Sequence, residues 1–183
     1  MRGVIRQPDF GVLAAGTRSL PSGMKPLATI GYELATTATL VEALIQAKVD
    51  LLVDVRAIPN SRRPGFSKKA LTAATAEVGI DYLHLRGLGT PADGRAAARA
   101  GRHAEMQAIF RDQLKTLDAR DDLFVLVEAI KEGRAACLLC LEASPEHCHR
   151  RLVAQAVLEQ IDVPIVDLAP AIGTPPPRRS RAK

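Results

Sequence analysis

"DLLVDVR", residues 50–56, runs Leu51, Leu52 and Val53 together without a polar break before it reaches Asp54 and Arg56. A strand with one solvated face alternates apolar and polar residues. A strand covered on both faces does not, and reads as a short continuous apolar run. This stretch is therefore expected to be an interior strand of a parallel sheet, with charge only at its C-terminal end. "ACLLCLE" (136–142) repeats the pattern, ending in Cys140 and Glu142. "LATIGY" (27–32) and "DYLHLRGLG" (81–89) read as two more strands, and "PIVDLA" (164–169) as a last, edge strand.

The segments between them carry helical spacing. "TTATLVEALIQAKV" (36–49) puts Leu40 and Leu44 on one face. "SKKALTAATAEVG" (67–79) has Ser67 as N-cap and Gly79 just past its end. Residues 94–117 read as helical but polar and Ala-rich, and "DDLFVLVEAIKEG" (121–133) as a further helix ending at Gly133. "SPEHCHRRLVAQAVLEQ" (144–160) reads as a helix with Ser144 as N-cap and Pro145 at the first helical position. Strands alternating with helices imply an α/β fold: a three-layer, mostly parallel sheet with helices on both faces, Rossmann-like or flavodoxin-like.

The chain has 183 residues, enough for one domain with a sizeable core. Aromatics are 3% of the residues and Trp is absent, so a stacking platform for nucleobases is disfavoured. The net charge of +5 belongs to the ends. Arg2, Arg6 and Arg18 against Asp9 give 1–23 a charge of +2, and Arg178, Arg179, Arg181 and Lys183 give 175–183 a charge of +4. The body between them carries −1. Residues 1–23 read as a disordered leader ahead of Met24, 24–174 as a single domain, and 175–183 as a Pro-rich basic tail. No apolar run reaches the roughly 20 residues of a membrane helix, and no secretory h-region is present, so no membrane partner is expected. Three clustered cysteines argue against a disulfide framework and for a reducing, cytoplasmic setting. The sequence does not indicate an oligomeric state.

In parallel α/β sheets, ligands bind outside the C-terminal ends of the strands. Those ends carry Tyr32, then Asp54 and Arg56, then His84 and Arg86, then Cys140 and Glu142. Residues two apart share a face of a strand, so each pair points the same way and the pairs together suggest one pocket. Cys148, His149 and Arg150 follow at the start of a helix, where amide N–H groups and the macrodipole favour an anion and a thiolate. "NSRRPGFSKKAL" (60–71) adds Arg62 and Arg63 in a basic loop on the same side. His103, in the polar helical stretch, reads as exposed and idle.

"TIGYE", "LLVDVRAIPNSRRPGFSKKAL", "GIDYLHLRGLG" and "CLLCLEASPEHCHRRLVA" resemble, in order and spacing, the segments of the domain-of-unknown-function family 488 of bacteria and archaea. The resemblance runs from about Thr29 to Ala154. Tyr32 stands where the family usually has His or a similar polar residue, and "RGLGTP" replaces a longer Gly-rich acidic stretch. The resemblance itself implies no activity.

Three chemistries compete at the cysteine cluster. A metal would need Cys140, Cys148 and a histidine, with Glu142 or Asp54. The Cys-x7-Cys-His spacing is not that of a zinc finger or ribbon, and Cys137 and Cys140 point to opposite faces of a strand, so no metal is assigned. "LLVDVR" also resembles the Asp-x-Arg strand of rhodanese domains. Their Cys-x4–5-Arg loop is missing, because Glu146 lies six residues after Cys140 and Ala154 six after Cys148. The preferred expectation is an enzyme-like domain that binds a phosphorylated or nucleotide-like anion. Asp54, Glu142, Cys148 and His149 are its catalytic candidates, and Tyr32, Arg56, Arg62, Arg63, His84, Cys140 and Arg150 its ligand-binding candidates. No cofactor is identified. The rival reading is a non-catalytic nucleic-acid or nucleotide-binding module built on Arg62, Arg63 and the C-terminal tail.

Overall fold

The computed structural model describes residues 24–173. The expectations for the leader and the basic tail lie outside these residues. Five strands form one sheet in the order β3-β2-β4-β1-β5, parallel throughout: β1 (Leu27–Gly31), β2 (Leu51–Asp54), β3 (Asp81–His84), β4 (Ala136–Cys140) and β5 (Ile165–Leu168). The two apolar runs, β2 and β4, are interior neighbours in register Leu52↔Cys137 and Val53↔Leu138, and every residue of both is buried. β5 is an edge strand, as is β3.

Helices cover both faces of the sheet. On one, α1 (Thr37–Gln46) and α2 (Lys68–Ala76) bury Leu40, Leu44 and Leu71, with Phe66, against Ile30, Leu52, Cys137 and Leu139. On the other, α4 (His103–Gln113), α5 (Leu117–Lys131) and α6 (His149–Leu158) bury Phe110, Leu126, Ile130, Val153 and Val157 against Val53 and Leu138. The polar stretch 94–117 resolves into α3 (Ala92–Arg99) and α4. Thr116 caps α5, accepting from Ala119 N at 3.3 Å, so that helix begins four residues earlier than the sequence pattern suggests. β3 is shorter than expected and gives way to a single 3-10 turn at Arg86–Leu88.

Ser67 caps α2 as expected, but Ser144 does not cap α6. Its hydroxyl accepts from Glu146 N at 3.3 Å, and Cys148 N donates to the Pro145 carbonyl at 3.1 Å. The chain therefore makes a turn over 145–148, and α6 begins at His149 with Cys148 at the N-cap. Among the described residues, no helix is long and apolar enough to cross a membrane.

Candidate active site

β4 ends at Cys140 and α6 starts at His149, so the connection between them returns two sulfurs, a carboxylate and an imidazole to one place. Glu142 Oε2 lies 3.2 Å from Cys140 Sγ and 3.0 Å from Cys148 Sγ, within hydrogen-bond distance of both. Cys140 Sγ lies 3.6 Å from His149 Nδ1. The far ring nitrogen, His149 Nε2, lies 2.8 Å from the Val55 carbonyl oxygen. A carbonyl can only accept, so Nε2 carries hydrogen and Nδ1 faces the sulfurs. All three cysteines are free thiols.

Burial sets these groups against one another. It works to raise the Cys148 thiol, but hydrogen bonds from Cys140 and His149 and the positive charges of His149 and Arg150 outweigh it and hold the thiol well below its ordinary value. The bond with Cys148, together with burial, pushes the Cys140 thiol well up. Burial and the neighbouring Cys148 charge raise the Glu142 carboxyl above 4.5. Burial would lower His149, yet its bond to Cys148 raises it. The cluster is therefore a proton-sharing set in which Cys148 and His149 favour charge and Glu142 and Cys140 resist it.

Asp54 and Arg56 share a strand face, as their spacing requires, but it is the other face of the sheet. Asp54 alternates with Leu52, which packs under α1 and α2, whereas Cys140 alternates with Leu138, which packs under α4 to α6. Arg56 is almost fully spoken for. Its Nε and one Nη hydrogen-bond the Asp54 carboxylate at 2.8 and 2.5 Å. Its other Nη donates to Tyr32 Oη and to the Phe66 carbonyl, both at 2.9 Å. Tyr32 stacks on Phe66 with centroids 4.5 Å apart, and Tyr82 Oη donates to the second Asp54 oxygen at 2.5 Å. Asp54 is 0% exposed and fully hydrogen-bonded, an anchor for Arg56 with no oxygen open to the cleft.

Two of the remaining expectations also land elsewhere. His84 Nε2 lies 2.8 Å from the Arg56 carbonyl oxygen and holds backbone. Arg150, 1% exposed, donates from Nε to Thr29 Oγ1 and from its two Nη atoms to the carbonyls of Glu142 and Ala143 at 2.5 and 3.0 Å. It clamps the β4–α6 connection onto β1 and does not face an anion. Gly31 permits that contact: a Cβ there would stand 1.9 Å from the Glu142 carbonyl oxygen.

A cleft of about 1260 Å³ opens over the C-terminal ends of β1, β2 and β4. Its floor includes Tyr32, Arg56, Cys140, Glu142 and His149. Arg62 and Arg63 enter it from the loop before α2, and Arg95, Arg99, His103 and Met106 from α3 and α4. Cys148, 3% exposed, is not part of the cleft lining. Arg63 is tied down, its guanidinium donating to the Glu33 and Ala35 carbonyls. Arg62 and Arg99 are exposed and make no hydrogen bond or ion pair among the described residues. His103 is not idle. It stacks on His147 with centroids 4.3 Å apart at the cleft wall, and its Nδ1 is buried without a hydrogen-bond partner among the described residues. Sequence reasoning missed Arg95 and Arg99; the "RAAARAGRH" stretch (95–103) held the basic signal, but it was read only as a polar, Ala-rich helical segment.

No curated protein and no solved structure matches the chain. One family model does, over residues 36–157, from the cap of α1 into the last turn of α6. That span holds both apolar interior strands, the basic loop and the whole Cys140–His149 cluster, and by it the chain belongs to the family described as domain of unknown function DUF488.

Proposed function

We propose that this protein is an enzyme-like domain that binds an anionic ligand, phosphorylated or nucleotide-like, in the cleft over the strand ends, with Glu142 as its proton-transfer group. The observation that carries this reading is the charge of the cleft. Five arginines line it; Arg56 is neutralised by Asp54, and Arg62, Arg63, Arg95 and Arg99 stand against the two carboxylates Glu33 and Glu142. The body of the chain carries −1 by sequence, so the positive charge is concentrated there and not spread over the surface. Arg62 and Arg99 have guanidinium forks free to take an oxyanion. Glu142, half-buried with a raised carboxyl, has the environment of a general acid or base. The three free thiols support a reducing, cytoplasmic setting.

The rival reading, a nucleic-acid-binding module, rests on the same arginines and the basic tail. The tethering of Arg63 to backbone carbonyls counts against it, because it removes one of the two loop cations it needs. Titration calorimetry with inorganic phosphate and a panel of nucleoside mono-, di- and triphosphates tests the proposal. Arg99→Ala and Arg62→Ala should each weaken binding roughly tenfold, with unfolding free energy changed by less than about 0.5 kcal/mol. Saturable binding of none of these ligands, together with RNA or DNA binding that falls steeply with salt, would establish the module instead.

A further inference from the structure

We propose that Cys140, Cys148 and His149 form a binding site for a soft divalent metal ion of the zinc type, with three protein donors. The inference rests on reading this cluster as the working centre of the cleft, but not on the cleft's ligand being an anion. Its ground is geometry. The two Sγ atoms and His149 Nδ1 all lie within 4.8 Å of one another. In a tetrahedral zinc site, with bonds of about 2.3 Å to sulfur and 2.0–2.1 Å to nitrogen, a sulfur and a nitrogen ligand stand about 3.6 Å apart. Cys140 Sγ and His149 Nδ1 are 3.6 Å apart. Glu142 Oε2, 3.2 and 3.0 Å from the two sulfurs, stands beside this set and is not one of its donors.

Three further features fit a metal better than a nucleophile. The Val55 carbonyl takes the His149 Nε2 hydrogen, the second-shell arrangement that aims the other ring nitrogen at a metal. Cys148 is 3% exposed and does not line the cleft, yet its sulfur lies in reach of a common centre with Cys140 and His149. Two thiols and a carboxylate crowded in a buried space repel one another as they ionise, and a cation removes that conflict. The donors are also held rigidly. Cys140 ends an interior strand, His149 opens a helix, and Arg150 fastens the carbonyls of Glu142 and Ala143 between them. Two thiolates and an imidazole select zinc, or its relatives cobalt and ferrous iron, over magnesium or calcium. On binding, the ion replaces the protons of the thiols, which leave to solvent.

The test uses the full chain, purified under reducing conditions without a histidine tag, loaded with zinc and freed of excess by gel filtration. Elemental analysis should find about one zinc per chain. Cys140→Ser, Cys148→Ser and His149→Ala should lose it, while Cys137→Ser, altered behind the sheet, should keep it. Should the first three fail to fold, the unaltered chain still decides the matter: loaded with cobalt, it should show thiolate-to-metal charge-transfer absorption and the intense visible bands of a tetrahedral site. Unaltered protein that retains no zinc, cobalt bound without the charge-transfer band, or a Cys140–Cys148 disulfide persisting in reductant would each overturn the site. Arg99→Ala should retain full metal while losing anion affinity, so failure of either reading leaves the other visible.

Discussion

Glu142 Oε2 lies 3.0 Å from Cys148 Sγ and 3.2 Å from Cys140 Sγ, so one carboxylate oxygen is held between two thiols. The carboxyl is raised above 4.5 by burial and by the neighbouring thiolate charge. The folded state therefore holds this proton more tightly than the unfolded state. Stability from it is fully present below 4.5 and is lost as pH rises through the raised value. Glutamine at this position has no proton to lose. After exhaustive chelation, the melting temperature of Glu142→Gln should gain on that of the parent as pH climbs above 4.5, and the two curves should run parallel below it. Curves parallel throughout would show that Glu142 titrates normally and is not desolvated.

Arg56 supplies the second prediction. Its guanidinium joins Asp54, Tyr32 and Phe66 under the α1–α2 layer, and it is 6% exposed. Removing one member of a buried, hydrogen-bonded ion pair leaves the other charge uncompensated, at a cost of about 3–5 kcal/mol. Arg56→Ala should lose stability in that range by urea denaturation. Arg56→Lys keeps the charge but cannot reproduce a fork that reaches both carboxylate oxygens, so it should fall between Ala and parent. A lysine variant as stable as the parent would mean that the four contacts of Arg56 contribute little.

What the sequence could disclose follows from distance along the chain. β2 and β4 announce themselves because a strand buried on both faces must be apolar throughout, and that is a local property. The pairing of Asp54 with Arg56 is likewise local, since the residues are two apart on one strand. The direction of Arg150 is not local. Its partners Thr29 and the Glu142 and Ala143 carbonyls are assembled only when β1 and β4 pair in the register Gly31↔Cys140. The start of α6 misleads for a related reason. Ser144–Pro145 is a sound N-terminal signal, but the Ser144 hydroxyl is taken by Glu146 N and the helix waits until His149 can seat itself on Val55. The metal-type donor set went unassigned because zinc spacing rules describe knuckles and ribbons, whereas this set joins a strand end to a helix start.

Gly31 tests whether that register matters to the site. A methyl group there would stand 1.9 Å from the Glu142 carbonyl oxygen and 2.6 Å from its carbon, and a backbone cannot yield as a side-chain tip can. Gly31→Ala should cost roughly 1–3 kcal/mol and displace the β4–α6 connection. Gly79 is the control. With φ of +74° and nothing within 4 Å, Gly79→Ala should cost about 1–2 kcal/mol through backbone strain alone. The two variants separate in the site: the alkylation rates of Cys140 and Cys148 in folded protein should change in Gly31→Ala and stay at the parent's values in Gly79→Ala.

The three thiols should differ in reactivity once metal is removed. Cys137 lies on the α1–α2 face of β4 at 0% exposure, and burial pushes its thiol far up. Cys140, at 4% exposure, is pushed up by its bond with Cys148 and by burial. Cys148, despite burial, is held well below its ordinary value by hydrogen bonds from Cys140 and His149. The thiolate is the species that reacts with iodoacetamide. In chelated, folded protein near neutral pH the order should therefore be Cys148 first, Cys140 next, and Cys137 only at the rate of global unfolding. The burial of Cys148 slows the absolute rate without changing the order, because all three thiols need some opening and only Cys148 has its thiol lowered. Peptide mass spectrometry of partly alkylated protein reads the order directly. Labelling of Cys137 at the same rate as Cys148 would mean that reactivity follows unfolding alone and that the helix start confers no special ionisation on its cysteine.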